Sequence, residues 1–342
     1  MEIVMEKMFH TPEGVRDIYN DECEQKQYLQ VKIRDIFHEY GYRDIETPTF
    51  EFFEVFSSEV GTTPSNELYK FFDRDGNTLV LRPDFTPSIA RAAATYFLTD
   101  NAPIRLCYQG NTFTNNSEYQ GRLKESTQMG VEYMGDASVK ADAEMIIMTI
   151  AILKAAGLKE FQISIGQIQF FKALVTEAAM SEETINDLRE LISNKNYFGV
   201  EGLIRQQSLS AELEKAFLCL PQLFGGIKVL DKASTLTANK VALAAVARLR
   251  EIYEILCIHQ VEKYVSFDLG MLSKYHYYTG IIFHGFTYGT GEPLAKGGRY
   301  DSLMSHFGKA APAIGVGFSI DTLLNALARQ GIEIPTDTGD KI

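Results

Sequence analysis

Strand-like segments stand on both sides of a long helical stretch in this chain, so any fold must bring them back together across it. Before the stretch, Ile104 to Phe113 and Ser126 to Tyr133 read as two strands joined by a polar loop, Thr114 to Lys124, and another strand is expected near Phe161 to Ile165. Residues from about 170 to 258 then read as helix, with Ser181-Glu182-Glu183 and Ser210-Ala211-Glu212 resembling helix starts. Strand character returns at Val265 to Leu269, Tyr277 to Tyr288, Leu294 to Ala295 and Ile314 to Ile320. A final helix runs through Leu323, Leu324, Leu327 and Ala328. The expected class is α+β: an antiparallel sheet flanked by helices, closing around a helical insertion.

The N-terminal part fits the same plan. Leu29, Ile33, Ile36, Phe37 and Tyr40 recur at helical spacing between Asp21 and Tyr40, and Gly41 supplies the stop. Tyr42 to Phe56 carries Pro48 inside an aromatic and β-branched run, which predicts an edge or interface strand. Leu68 to Phe72 and Thr78 to Arg82 flank Asp73-Arg74-Asp75-Gly76-Asn77 and predict a β-hairpin that Pro83 ends. Thr86 reads as the cap of a helix to Phe97 with Pro87 at its first position. A further helix is expected from about Val139 to Ala156, ending at Gly157.

Composition narrows the function. With 342 residues and 45% hydrophobic content the chain can bury a substantial core. It has no apolar run of membrane-spanning length, and Glu2, Glu6, Lys7, Glu13, Arg16 and Asp17 replace an apolar signal core, so a cytoplasmic location is expected. Cys23, Cys107, Cys219 and Cys257 are widely spaced with no metal-ligand pattern, so no metal is expected. A net charge of −12 without a basic cluster favours a small molecule or a protein as partner over nucleic acid. No phosphate-binding glycine loop of the G-x-x-x-x-G-K-[ST] kind is present, and Gly289-Thr290-Gly291-Glu292-Pro293 reads as a hairpin turn. No cofactor is expected.

Four segments in order carry a resemblance. Gly41 with Pro48, Leu81-Arg82-Pro83-Asp84-x-Thr86, Tyr108 to Glu132, and Tyr277-Tyr278-Thr279-Gly280 with Gly297-Gly298-Arg299-Tyr300-Asp301 resemble the core of class II aminoacyl-tRNA synthetases of the histidyl type, over residues 9 to 329. The resemblance implies a synthetase-like domain over 1–330 that includes the insertion, with 331–342 as a tail. The residues after Thr322 are too few for the anticodon-binding domain of a synthetase, so none is expected.

The resemblance also implies a pocket for free histidine. Asp84, Thr86, Gln128 and Glu132 would meet the ammonium group, and each residue type supplies an acceptor for it. Tyr277 and Tyr278 would meet the imidazole with hydroxyls on rigid rings. Three arginine positions of the synthetase pattern are emptied: Thr114 follows Phe113, Thr322 stands on the last helix, and Ser273 precedes the tyrosine pair. A hydrogen bond to a charged group is worth roughly 1.5 to 3 kcal/mol. Three lost guanidiniums would forfeit ~4 to 9 kcal/mol of phosphate and carboxylate binding, roughly three to six orders of magnitude. No catalytic residues are therefore expected.

A degenerate synthetase core of this kind is similar to the regulatory subunits of ATP phosphoribosyltransferase. That resemblance implies a non-catalytic protein acting in the first step of histidine biosynthesis. It would be a homodimer within a hetero-oligomer, commonly octameric, that supports a short catalytic subunit and transmits feedback inhibition by L-histidine. The rival readings are a histidyl-tRNA synthetase-like amino-acid-activating enzyme and another synthetase paralogue.

Overall fold

The computed structural model describes residues 9–56, 63–97, 102–116, 123–273 and 278–336. Its strands in chain order are β1 (Arg43–Asp44), β2 (Phe50–Phe52), β3 (Lys70–Phe72), β4 (Thr78–Leu81), β5 (Ile104–Phe113), β6 (Glu125–Met134), β7 (Gln162–Gln167), β8 (Phe224–Gly225), β9 (Val265–Asp268), β10 (Ile281–Phe286), β11 (Ala295–Arg299) and β12 (Ala313–Ser319). Nine of them form one sheet in the order β1-β5-β6-β12-β11-β10-β7-β9-β8, and β2-β4-β3 form a small second sheet. The ladder from β5 to β7 is antiparallel throughout, while β1 on β5 and β7 on β9 are parallel. The expected α+β architecture is the one observed.

Three helices cover one face of the large sheet. The helix Asn20–Glu39 buries Leu29, Ile33 and Phe37, and the Phe37 ring lies 6.1 Å from that of Phe318 on β12. Val139–Ala155 starts at Ser138, whose hydroxyl accepts from the Ala141 N–H at 3.2 Å, and it ends before Gly157 at φ +101°, a value that favours glycine. The last helix, Ile320–Arg329, closes the layer with Leu323, Leu324 and Leu327 buried.

The insertion is six helices: Ile168–Glu177, Glu182–Ser193, Tyr197–Ile204, Ala211–Cys219, Lys228–Ser234 and Lys240–Ile258. Ser181 and Ser210 cap two of them, accepting from Thr184 N and Leu213 N. It is not helix throughout, because Phe224–Gly225 leaves to pair with β9 at the sheet edge. Its first and last helices bury Phe170, Phe171, Leu174, Leu249 and Ile252 in the same core as the sheet.

Four expectations need correction. The run Tyr42 to Phe56 is not one strand: it divides into β1 and β2, in different sheets, because the chain turns at Thr47 and Pro48, whose carbonyls accept from Arg82 Nη1 at 2.8 and 3.2 Å. Thr86 is the first residue of its helix, Thr86–Tyr96, and not its cap. Phe85 takes that place, and Pro87 is the second residue of the helix. The strand expected from Tyr277 begins at Ile281, and Tyr277 lies outside the described residues. The strand expected at Leu294 to Ala295 continues to Arg299.

Candidate functional site

Side chains alternate across a strand, and on β6 that alternation separates core from site. Met129, Val131 and Tyr133 join the core under the helices, while Gln128, Gly130 and Glu132 face the other way. There a cavity of about 640 Å³ opens, walled by β5, β6, β11, β12 and the segment Pro83–Thr86. Its floor depends on glycine. A Cβ on Gly315 would collide with Glu132 Oε2, one on Gly317 with Gln128 Nε2, one on Gly130 with the Tyr108 hydroxyl, and one on Gly298 with the Tyr278 ring.

Glu132 is the centre of the site and is 1% exposed. Thr86 Oγ1 donates to its Oε1 at 2.7 Å, and the Tyr300 hydroxyl donates to its Oε2. Burial, with the charge of Asp84 nearby, pushes this carboxyl up to about 8 despite both donors. Burial also raises the Tyr108 and Tyr300 hydroxyls well above their ordinary values, so both stay protonated. Tyr108 stacks on Phe85 with ring centroids 4.4 Å apart and accepts from Gln128 Nε2 at 2.9 Å. Asp84 Oδ1 accepts from the Phe85 N–H at 2.6 Å, which orients the carboxylate at the cavity edge.

Five of the six expected histidine-binding residues therefore converge: Asp84, Thr86, Gln128, Glu132 and Tyr278 all line the cavity. The sixth, Tyr277, lies outside the described residues. Of the emptied arginine positions, Thr114 and Thr322 line the same cavity and Ser273 does not. The Thr322 hydroxyl is shared with Ser319 Oγ at 2.7 Å, which caps the last helix.

Sequence reasoning passed over Tyr300, Tyr108 and Lys296 as site residues. A signal existed for the first, since Tyr300 stands in the Gly-Gly-Arg-Tyr-Asp run, and for the floor, since Gly315-Val316-Gly317 puts glycine at alternate positions of a strand. Arg299 of that run points elsewhere. Its Nε and Nη2 donate to Asp142 Oδ1 at 2.8 and 2.6 Å.

The charge lining the cavity is acidic. Glu67, Asp84, Glu292 and Asp321 face it, beside the Glu132 carboxyl that burial keeps mostly protonated near neutral pH, against Lys296 and Arg329 as the basic side chains among the described lining residues. Arg329 already donates to the Gly289 carbonyl. Asp321 is itself satisfied by Lys26 Nζ at 2.9 Å and the Thr127 N–H at 2.6 Å. Such a lining suits an ammonium and opposes a polyphosphate. Away from the cavity, ligand atoms of His38, Asp44 and Cys107 lie within 4.8 Å of one another, a grouping the sequence spacing hid. Arg34 holds both oxygens of Asp44, and burial pushes the Cys107 thiol up to about 12, so the group is poorly suited to a metal.

The histidyl-tRNA synthetase family model matches residues 14–323. The ATP phosphoribosyltransferase regulatory subunit of Acetivibrio thermocellus is 44% identical over 324 residues, 95% of this chain and 78% of that protein. The protein of the same name from Ruminiclostridium cellulolyticum is 45% identical over 322 residues, 94% of this chain and 77% of that protein. A solved structure from Bacillus halodurans, described as an ATP phosphoribosyltransferase regulatory subunit/histidyl-tRNA synthetase, superposes with a TM-score of 0.88 at 36% identity, covering 94% of this chain and 83% of that one.

Proposed function

This chain belongs to the ATP phosphoribosyltransferase regulatory subunits of the histidyl-tRNA synthetase family, and from that premise we propose that it senses L-histidine for a short catalytic subunit in the first step of histidine biosynthesis. One observation carries the reading. At one end of the cavity Glu132 is held between Thr86 and Tyr300 with Asp84, Gln128 and Tyr278 around it, while Thr114 and Thr322 stand in the same cavity at the positions of ATP-binding arginines in the synthetase pattern.

The ligand's ammonium meets Asp84 and Glu132, with Thr86 and Gln128 beside them, and its imidazole lies toward Tyr278 and Tyr277. We assign Lys296, which lines the cavity, to its carboxylate. The protein forms no adenylate, because the acidic lining and the lost guanidiniums leave a triphosphate unsupported. It works in the cytoplasm, without tRNA. No described helix is long and apolar enough to cross a membrane.

Allosteric inhibition needs histidine to bind two states of the complex unequally. The assembly we infer is a homodimer of this chain inside a hetero-octamer with the catalytic subunit. Calorimetric titration with L-histidine, and separately with ATP and magnesium, tests the reading. Histidine binding without ATP binding is expected, and adding a short catalytic subunit should then give transferase activity that histidine suppresses. ATP binding with pyrophosphate exchange would overturn it in favour of an amino-acid-activating enzyme.

A further inference from the structure

The insertion grips the pocket at two places. On its first helix, Gln169 Nε2 donates to the Thr279 carbonyl at 2.6 Å and Lys172 Nζ donates to the Tyr278 carbonyl at 3.0 Å. On its last helix, Arg248 Nε donates to Asp142 Oδ2 at 2.6 Å, and the other oxygen of Asp142 holds Arg299, the residue before Tyr300. These two helices pack against each other. One body thus holds the Tyr278 side of the pocket and the Tyr300 side.

The use of a lysine at the first grip is informative. Burial, together with the nearby Arg189 guanidinium, holds the Lys172 ammonium below its ordinary pKa. Among the described residues no carboxylate forms an ion pair with it. Its cost is offset by a charge-assisted hydrogen bond to a backbone carbonyl, stronger than a neutral donor would make. The carbonyl chosen belongs to Tyr278, whose ring fits over Gly298 at the cavity wall, and the next one belongs to Thr279, whose hydroxyl accepts from the Asp301 N–H at 2.9 Å.

We propose that Gln169 and Lys172 are positioning residues for the amino-acid pocket, fixing the Tyr278–Thr279 backbone so that occupation of the pocket is felt by the helical insertion. The coupling rests on the histidine reading given above, whereas the grip itself does not. A state of the pocket is then readable on the surface of the insertion.

Hydrogen exchange on the full chain, without ligand and with saturating L-histidine, tests this in the wild type, Lys172→Met and Lys172→Arg. Without ligand, Lys172→Met should speed exchange around Thr279 to Ile281 by roughly tenfold, the loss expected for one charge-assisted bond. Its thermal midpoint should stay near that of the wild type because methionine keeps the apolar stem. Lys172→Arg should restore slow exchange. With histidine, the wild type should gain protection on Ile168–Glu177 and Glu182–Ser193, and Lys172→Met should lose that gain along with about tenfold in affinity. Unchanged ligand-free exchange in Lys172→Met would overturn the grip, and protection confined to the cavity strands in the wild type would overturn the coupling. If the wild type bound no histidine, the functional reading would fall, and the ligand-free comparison would still decide the grip.

Discussion

Glu132 gives the sharpest expectations of any single residue. Its folded pKa of about 8 stands above the ordinary 4.5, so between those values the folded protein keeps a proton that the unfolded chain has released. Stability therefore falls as pH rises from about 4.5 to 8, and at neutral pH the cost is on the order of 3 kcal/mol. Glu132→Gln should remove this slope and raise the thermal midpoint at pH 8 more than at pH 5, as thermal melts at the two pH values would show. The same substitution should weaken histidine binding by at least about a hundredfold, since a buried charged acceptor is lost. Binding an ammonium favours the carboxylate, so histidine should expel the proton. Affinity should climb between pH 6.5 and 8 by at most about tenfold per pH unit. Calorimetry in buffers of different ionisation enthalpy checks the release, and its absence in Glu132→Gln separates it from the imidazole of the ligand. These expectations fail together if Glu132→Gln binds histidine as the wild type does.

Elements assemble that residue from distant parts of the sequence. Glu132 and Tyr300 are 168 positions apart, and they meet because β12 lies between β6 and β11 in fixed register, Gly315 facing both Glu132 and Gly298. A slip of one position would turn every side chain to the wrong face. Gly315→Ala puts a methyl group into Glu132 and should cost about 1 to 3 kcal/mol of stability, with histidine binding lost in calorimetry. Asp142 binds three elements at once: its own helix, β11 through Arg299, and the insertion through Arg248. It is fully buried, so Asp142→Asn should cost roughly 3 to 5 kcal/mol by taking its charge away from Arg248 and from Arg299, which would keep only the Asp301 contact at 3.1 Å. Denaturant melts would measure it.

What the sequence made legible follows the same division. The serine caps at Ser181 and Ser210, the hairpin at Asp73–Asn77 and the ten-residue strand Ile104–Phe113 are local, and reading neighbours sufficed. The break of Tyr42–Phe56 into two sheets depends on Arg82, and the Tyr300–Glu132 contact depends on strand order, so neither shows in adjacent residues. The cavity residues were legible only through a motif resemblance, because nothing about Asp84 or Gln128 alone marks them as neighbours.

Across the whole molecule, the small sheet ties the pocket to the homodimer proposed above. Register puts Phe50 opposite Leu81, and both Phe52 and Phe71 opposite Leu79, so the aromatic rings share one face, and all three are exposed. The Phe50 and Phe71 rings lie 5.7 Å apart edge to face, while Val80 turns inward to the core. The homodimer proposed above would use this aromatic face, because a twofold contact covers each of the three rings in both copies. Burial of one phenylalanine is worth about 1.5 to 3 kcal/mol, so Phe52→Asp, which loses the ring in both copies and adds two charges, should raise the dimer dissociation constant by roughly a hundredfold or more. Sedimentation across a concentration series would read it. The pocket should respond as well. Arg82 donates to the Thr47 and Pro48 carbonyls beside this face, donates to the Asn111 carbonyl on β5, and lies 4.1 Å over the Phe85 ring that stacks on Tyr108. Loosening the face should therefore loosen Asp84 and Thr86, two and four residues along. The expected outcome is weaker histidine binding by Phe52→Asp than by the wild type at equal chain concentration, in step with the loss of the proposed dimer. Equal affinity would mean that the pocket is complete within one chain and that assembly acts only on the catalytic partner.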